Sequence, residues 1–152
     1  MHDIDLEELQ RILLRKRLIL GRVKRGTHRR LMREAWWEAR YIAMSPNIPK
    51  DLLVELARDY PFQAARNPRI FETPRAMARV IRALEGIPKE RLRHLRGLFS
   101  EDAKALSYLV GALEYVPSRF RPALIRLARE AGYPLHHLGP LPVEEAQAQG
   151  AR

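Results

Sequence analysis

No cysteine occurs in the 152 residues. That excludes disulfides, thiolate metal sites and iron–sulfur clusters, and it fits a reducing compartment. Long apolar runs are missing too. Leu18-Ile19-Leu20 is typical of the longest, far short of the roughly 20 residues that cross a bilayer. The opening MHDIDLEEL is acidic and has no basic region leading into an apolar one. It does not read as a signal peptide, and the expected location is cytoplasmic.

Chemical signatures are equally sparse. There is no G-x-x-x-x-G-K-[ST] loop and no dinucleotide glycine fingerprint. Ser, His and Asp occur without triad spacing or a nucleophile elbow. His136-His137 is the only paired histidine. Adjacent residues in a proline-bounded loop lack the i, i+4 spacing of helical metal ligands, and no third ligand can be named. Glu144-Glu145, in the same tail, reads as a solvated pair. The expectation is a protein with no catalytic residues, metal or cofactor, and not an enzyme.

Lysine is the next scarcity. The chain has 28 Lys+Arg against 18 Asp+Glu, a net charge of +10, yet only Lys16, Lys24, Lys50, Lys89 and Lys104 are lysines. Arginine supplies the rest, and its planar fork suits phosphates and carboxylates. From Arg11 to Arg33 there are ten Lys or Arg and no Asp or Glu. Two readings stand: solvated helix ends around the loop GRVKRG, or an electrostatic footprint for an anionic partner.

Helical periodicity runs throughout, without a strand-like alternation. Asp5 and Glu8 form a capping pair for a helix from Ile4 to Leu20. Leu6, Leu9, Ile12 and Leu13 share one face, Leu14 and Leu18 fall on the other, and Lys16 interrupts the stripe. Thr27 can cap a second helix reaching Met44, ahead of Pro46. There Met32, Ala35, Trp36, Ala39 and Ala43 form one stripe, and Trp37, Tyr41 and Met44 an opposite one flanked by Arg30, Arg33 and Arg40. This helix is either sandwiched between layers or exposes an aromatic–arginine surface able to stack on bases.

Pro49 suits a helix start, and Leu52, Leu53, Leu56 and Ala57 make an apolar face. Tyr60-Pro61 and Asn67-Pro68 punctuate the chain beyond it. In Ser45–Pro68, the residues Pro46, Asn47, Pro49, Asp51, Leu52, Leu53, Leu56, Ala57 and Asp59 resemble the variant leucine-rich and HEAT-like helical repeats of bacterial proteins. Ile48 replaces a capping threonine and Lys50 a second proline, and the cysteines that bind a cluster in some variants are absent. The resemblance implies helical architecture, not an activity. Ile48-Pro49-Lys50-Asp51 recurs as Ile87-Pro88-Lys89-Glu90. The offset suits a repeat of two helices.

Thr73-Pro74 opens a helix closed by Gly86, with Met77, Val80, Ile81 and Leu84 on the core face and an arginine stripe, Arg75, Arg79 and Arg82, opposite. Further helices carry Leu92 and Leu95; Ala103, Leu106, Leu109, Val110 and Leu113, capped by Ser100; and Phe120, Leu124, Leu127 and Ala128, ended by Gly132. The expected fold is all-α. It has six or seven short helices over residues 1–132, stacked as a short solenoid or as an orthogonal bundle, and an extended, fraying tail over 133–152.

The expected function is a helical module whose basic side binds an anionic macromolecule. The contact candidates are Arg15, Arg17, Arg22, Lys24, Arg25, Arg29, Arg30, Arg33, Trp37, Tyr41, Arg75, Arg79 and Arg82. The alternative is nucleic-acid binding, with Trp37 and Tyr41 stacking; an enzyme with a dispersed site is the remaining option. An uncovered repeat end would permit a homodimer.

Overall fold

The computed structural model describes residues 5–135. All regular structure among them is helical: α1 (Leu6–Ile19), α2 (Thr27–Glu34), α3 (Ala39–Ala43), α4 (Lys50–Asp59), α5 (Pro61–Ala65), α6 (Pro74–Glu85), α7 (Lys89–His94), α8 (Glu101–Gly111) and α9 (Arg121–Ala131), with short 3-10 turns between several of them. None is long and apolar enough to cross a membrane. His136-His137, Glu144-Glu145 and the rest of the tail lie outside the described residues. Tyr133 and Leu135, at its start, pack partly against the core.

The shortest helices sit deepest. In α5, Ala64 and Ala65 are fully buried, and small side chains let α3, α4, α6 and α8 all approach it. α4 lies along α6, and α9 closes the far side against α6, α7 and α8. The expected core faces of α6, α8 and α9 are buried, including Met77, Val80, Leu84, Leu106, Leu109, Leu124 and Ala128 at 0% exposure.

Proline sets the repeated junction. Pro49 (φ −60°, ψ 138°) and Pro88 (φ −56°, ψ 140°) lead into α4 and α7 with nearly the same backbone. Pro117 (φ −54°, ψ 140°) does so before a 3-10 turn and α9. The buried residue ahead of each proline bonds back three residues, Ile48 N to Ser45 O, Ile87 N to Leu84 O and Val116 N to Leu113 O. Arginines complete two of these joints: Arg69 donates to Ile48 O (2.7 Å) and Arg121 Nε to Val116 O (2.8 Å). The two stretches part further along, for Tyr60 is half-buried whereas Phe99, 39 residues on, is 91% exposed.

Several expectations need correction. α1 keeps its cap, Glu8 N donating to Asp5 Oδ1 at 2.7 Å. It turns Leu14 and Leu18 inward, however, and leaves Leu6, Leu9 and Leu13 exposed. The helix expected from Thr27 to Met44 breaks at Ala35 (φ −143°, ψ 49°). Thr27 is its first residue rather than its cap, a place taken by Gly26 at φ +87°. A 3-10 turn, Trp36–Glu38, follows the break. It resets the register, so that Glu38, Ala39, Ile42 and Ala43 face in, while Trp36 (63%) and Trp37 (57%) both face solvent. Gly86 ends α6 without a left-handed turn, at φ −79°. The Ser100 side chain accepts from no backbone N–H of the first turn of α8; its hydroxyl donates instead to the Asp102 carboxylate.

That carboxylate fastens α7 to α8. Asp102 Oδ2 accepts from Arg91 Nε at 2.7 Å, and Oδ1 from Arg91 Nη2 at 2.9 Å and from Ala103 N at 2.9 Å. Chiefly through the Arg91 bond, its pKa falls from 3.8 to about 2. A carboxyl depressed on folding stabilises the fold above its unfolded pKa and loses that contribution as pH drops through its folded value. Asp102→Asn should therefore cost about 2 kcal/mol at neutral pH. The urea midpoints of wild type and variant should converge as pH falls from about 4 to about 2. A gap unchanged over that range would show that the pair does not act through its charge.

Candidate basic interface

The basic segment spans the end of α1, the loop after it and α2. Gly21 makes the turn: its φ of +69° is left-handed, and a Cβ there would lie 2.9 Å from Pro46 Cγ. Arg22 N reaches back to Arg17 O at 2.8 Å and Gly21 N to Leu18 O at 3.1 Å, a glycine-ended helix stop. Val23 is 5% exposed and anchors the loop in the core. Asn47 Nδ2 also donates to its carbonyl.

Behind that bond lies a buried polar relay. The Ser45 hydroxyl donates to Asn47 Oδ1 at 2.8 Å, and His28 Nε2 lies 2.9 Å from Ser45 Oγ. Because the serine proton is spent on Asn47, His28 Nε2 must carry the proton and donate. Its Nδ1 is left buried without a partner. Burial lowers the His28 pKa, so the ring is neutral and structural. No local window announces this relay, because His28 lies on α2 and Ser45 and Asn47 in the loop after α3.

The candidate cations divide into two groups. Arg17, Arg22, Lys24, Arg25 and Arg33 are exposed and form no ion pair among the described residues. Arg15, Arg29 and Arg30 are engaged. Arg15 reaches Glu38 with Nε at 2.7 Å and Nη2 at 3.1 Å, and the Glu38 side chain is only 1% exposed. Arg29 bonds Asp51 at 2.7 Å and Glu55 at 3.0 Å on α4. Arg30 lies 3.9 Å from Glu34. Arg15 and Arg29 thus receive carboxylates from distant elements, and Arg30 one from the next turn of its own helix.

The aromatic candidates divide likewise. Trp37 is exposed and meets Trp36 edge-on, ring centres 6.0 Å apart. Tyr41 is half-buried against the core, and its ring lies under the Arg15 guanidinium at 4.7 Å. Trp36, expected inside, is the more exposed tryptophan.

On α6, Arg75 and Arg82 are exposed and unpaired among the described residues, but Arg79 donates to Val54 O on α4 at 2.6 Å. α6 packs chiefly on α4, α5 and α9, so this stripe belongs to a different part of the domain from the α1–α2 loop. Arg29 and Arg79 both line a groove of about 360 Å³ that also holds Glu55, Arg58 and Asp59.

Sequence reasoning passed over a second basic place. Arg66, Arg96 and Lys104 line an open cleft of about 600 Å³ with Leu98, Phe99, Tyr108 and Tyr133. Glu101 pairs with Arg66 and approaches Lys104 to 3.9 Å, and Arg96 donates to Gly132 O. Among the described residues no three His, Asp or Glu converge on a metal-sized site. Comparison with protein-family models, curated protein sequences and solved structures finds no match.

Proposed function

We propose that the chain is a non-enzymatic helical interaction module, built from HEAT-like units, that binds an anionic macromolecule in the cytoplasm. One observation carries the reading: Arg17, Arg22, Lys24, Arg25 and Arg33 form no ion pair among the described residues, and they project from a loop and helix ends held in place by Gly21, Val23 and Asn47. Cations left without counter-charges on an ordered scaffold attract a polyanion without first breaking internal ion pairs.

A second reading, single-stranded nucleic acid as the polyanion, draws on the exposed indoles of Trp36 and Trp37. They offer flat apolar faces three and four residues beyond Arg33, on which bases can stack. Tyr41, under Arg15, contributes packing rather than a free face.

The test is a salt titration with labelled single-stranded oligonucleotide and with polyglutamate. If each of the five cations meets one phosphate, oligonucleotide affinity falls with a log–log slope of about −3.5. Arg22→Glu with Arg25→Glu should flatten the slope, and stacking should quench tryptophan fluorescence. Binding of polyglutamate alone would leave the module reading standing and remove the nucleic-acid one. No binding of either probe at low salt would end both. The pair Arg75→Glu and Arg82→Glu asks whether the α6 stripe joins the same surface.

A further inference from the structure

α1 exposes an apolar seam that its own domain leaves uncovered. Leu6 (70%), Leu9 (41%), Leu13 (50%) and Leu20 (61%) stay in solvent, while Leu14 and Leu18 make the inward contact. The outward residues repeat as 6, 9, 13, 16 and 20, alternating steps of three and four. That is the seam of a coiled coil, with Lys16 as its one polar member. The same helix is charge-segregated. Asp5, Glu7 and Glu8 stand at its first turn, and Lys16 and Arg17 at its last.

We propose that α1 pairs antiparallel with α1 of a second copy, making a two-fold dimer. The charge pattern selects this occupant. A uniformly acidic partner lying along the seam would meet Asp5, Glu7 and Glu8, and a uniformly basic one Lys16 and Arg17. An antiparallel copy sets the acidic end of each helix against the basic end of the other, and it does so twice by symmetry. The register that places Leu9 of one copy against Leu13 of the other also places Lys16 beside Leu6 and Asp5 of the second copy. A lysine there gives a parallel pair no counter-charge, so it fixes orientation as well as register. A 14-residue helix is about 21 Å long. An interface of that length is small, and a dissociation constant on the order of micromolar is expected. This pairing does not depend on the basic loop binding anything.

Sedimentation equilibrium of the full chain over a concentration series tests it. Wild type should pass from monomer to dimer. Leu9→Glu with Leu13→Glu should weaken the association by more than about tenfold, with circular dichroism unchanged because both side chains are already exposed. The cysteine-free chain permits an orientation test: Leu6→Cys and Lys16→Cys, mixed under oxidising conditions, should form a disulfide between the two different variants. Cross-links only between like variants would indicate parallel pairing and overturn the proposal. A wild type monomeric throughout would also overturn it, as would dimers insensitive to the glutamates, or a monomer whose leucines instead take up an added acidic amphipathic peptide.

Discussion

Arg15→Ala should destabilise the domain by about 3 kcal/mol, the lower end for breaking a buried ion pair, because Glu38 is buried but the Arg15 side chain is 37% exposed. Glu38 is 1% exposed at its side chain and takes both its side-chain hydrogen bonds from Arg15. Without that guanidinium its charge is buried and unpaired. The Tyr41 ring also loses its cover. For a domain of this size the melting temperature should fall by roughly 10 °C or more. The double variant Arg15→Met with Glu38→Met discriminates the cause, because replacing both charges with apolar groups avoids leaving one stranded. It should recover most of the loss. An Arg15→Met single variant as stable as the double would assign the effect to packing of the arginine stem instead.

Asn67→Ala should cost about 2–3 kcal/mol, from two buried carbonyls and one part-buried N–H that each lose a partner. The side chain is fully buried at the end of α5. Its amide donates to Ala43 O and Ser45 O, both at 2.8 Å, and its carbonyl accepts from Arg69 N at 2.9 Å. One residue thus caps the end of α3 and starts the 3-10 turn Pro68–Glu72. Asn67→Asp preserves the shape but loses both donors and sets a carboxylate against two carbonyl oxygens. It should be at least as damaging as alanine. An aspartate variant near wild-type stability by urea unfolding would show that the joint is held by shape.

The sequence was most legible where a proline, a glycine or a periodic apolar face acted locally. The starts of α4, α6 and α7 follow Pro49, Thr73-Pro74 and Pro88, and the faces of α6, α8 and α9 follow from their spacing. It was least legible where a distant group decided the outcome. α1 offered two leucine faces, and only the placement of Glu38 beside Arg15 shows which one turns inward. The break at Ala35 has no proline or glycine to announce it, yet it puts Ile42 in the core and both tryptophans outside. Charge counting found the basic stretch but not its partners. The carboxylates that engage Arg15 and Arg29 lie 22 to 26 residues further along, beyond any local window. For the same reason Arg79 read as a free member of a stripe, whereas it reaches a carbonyl of α4.

Those separations recur. Asn47 to Val23, Arg69 to Ile48, Asn67 to Ala43 and Arg79 to Val54 span 21 to 25 residues, and the widest side-chain bond among the described residues, Arg126 to Glu85, spans 41. Each of these ties thus reaches no more than three helices back along the chain. Closing such short loops costs little chain entropy, and a topology of near contacts folds fast. The joints at Val23, Ala43 and Ile48 need no residue beyond Arg69, so on a chain leaving the ribosome they can close before α8 and α9 emerge. The order of synthesis and the order of assembly would then coincide.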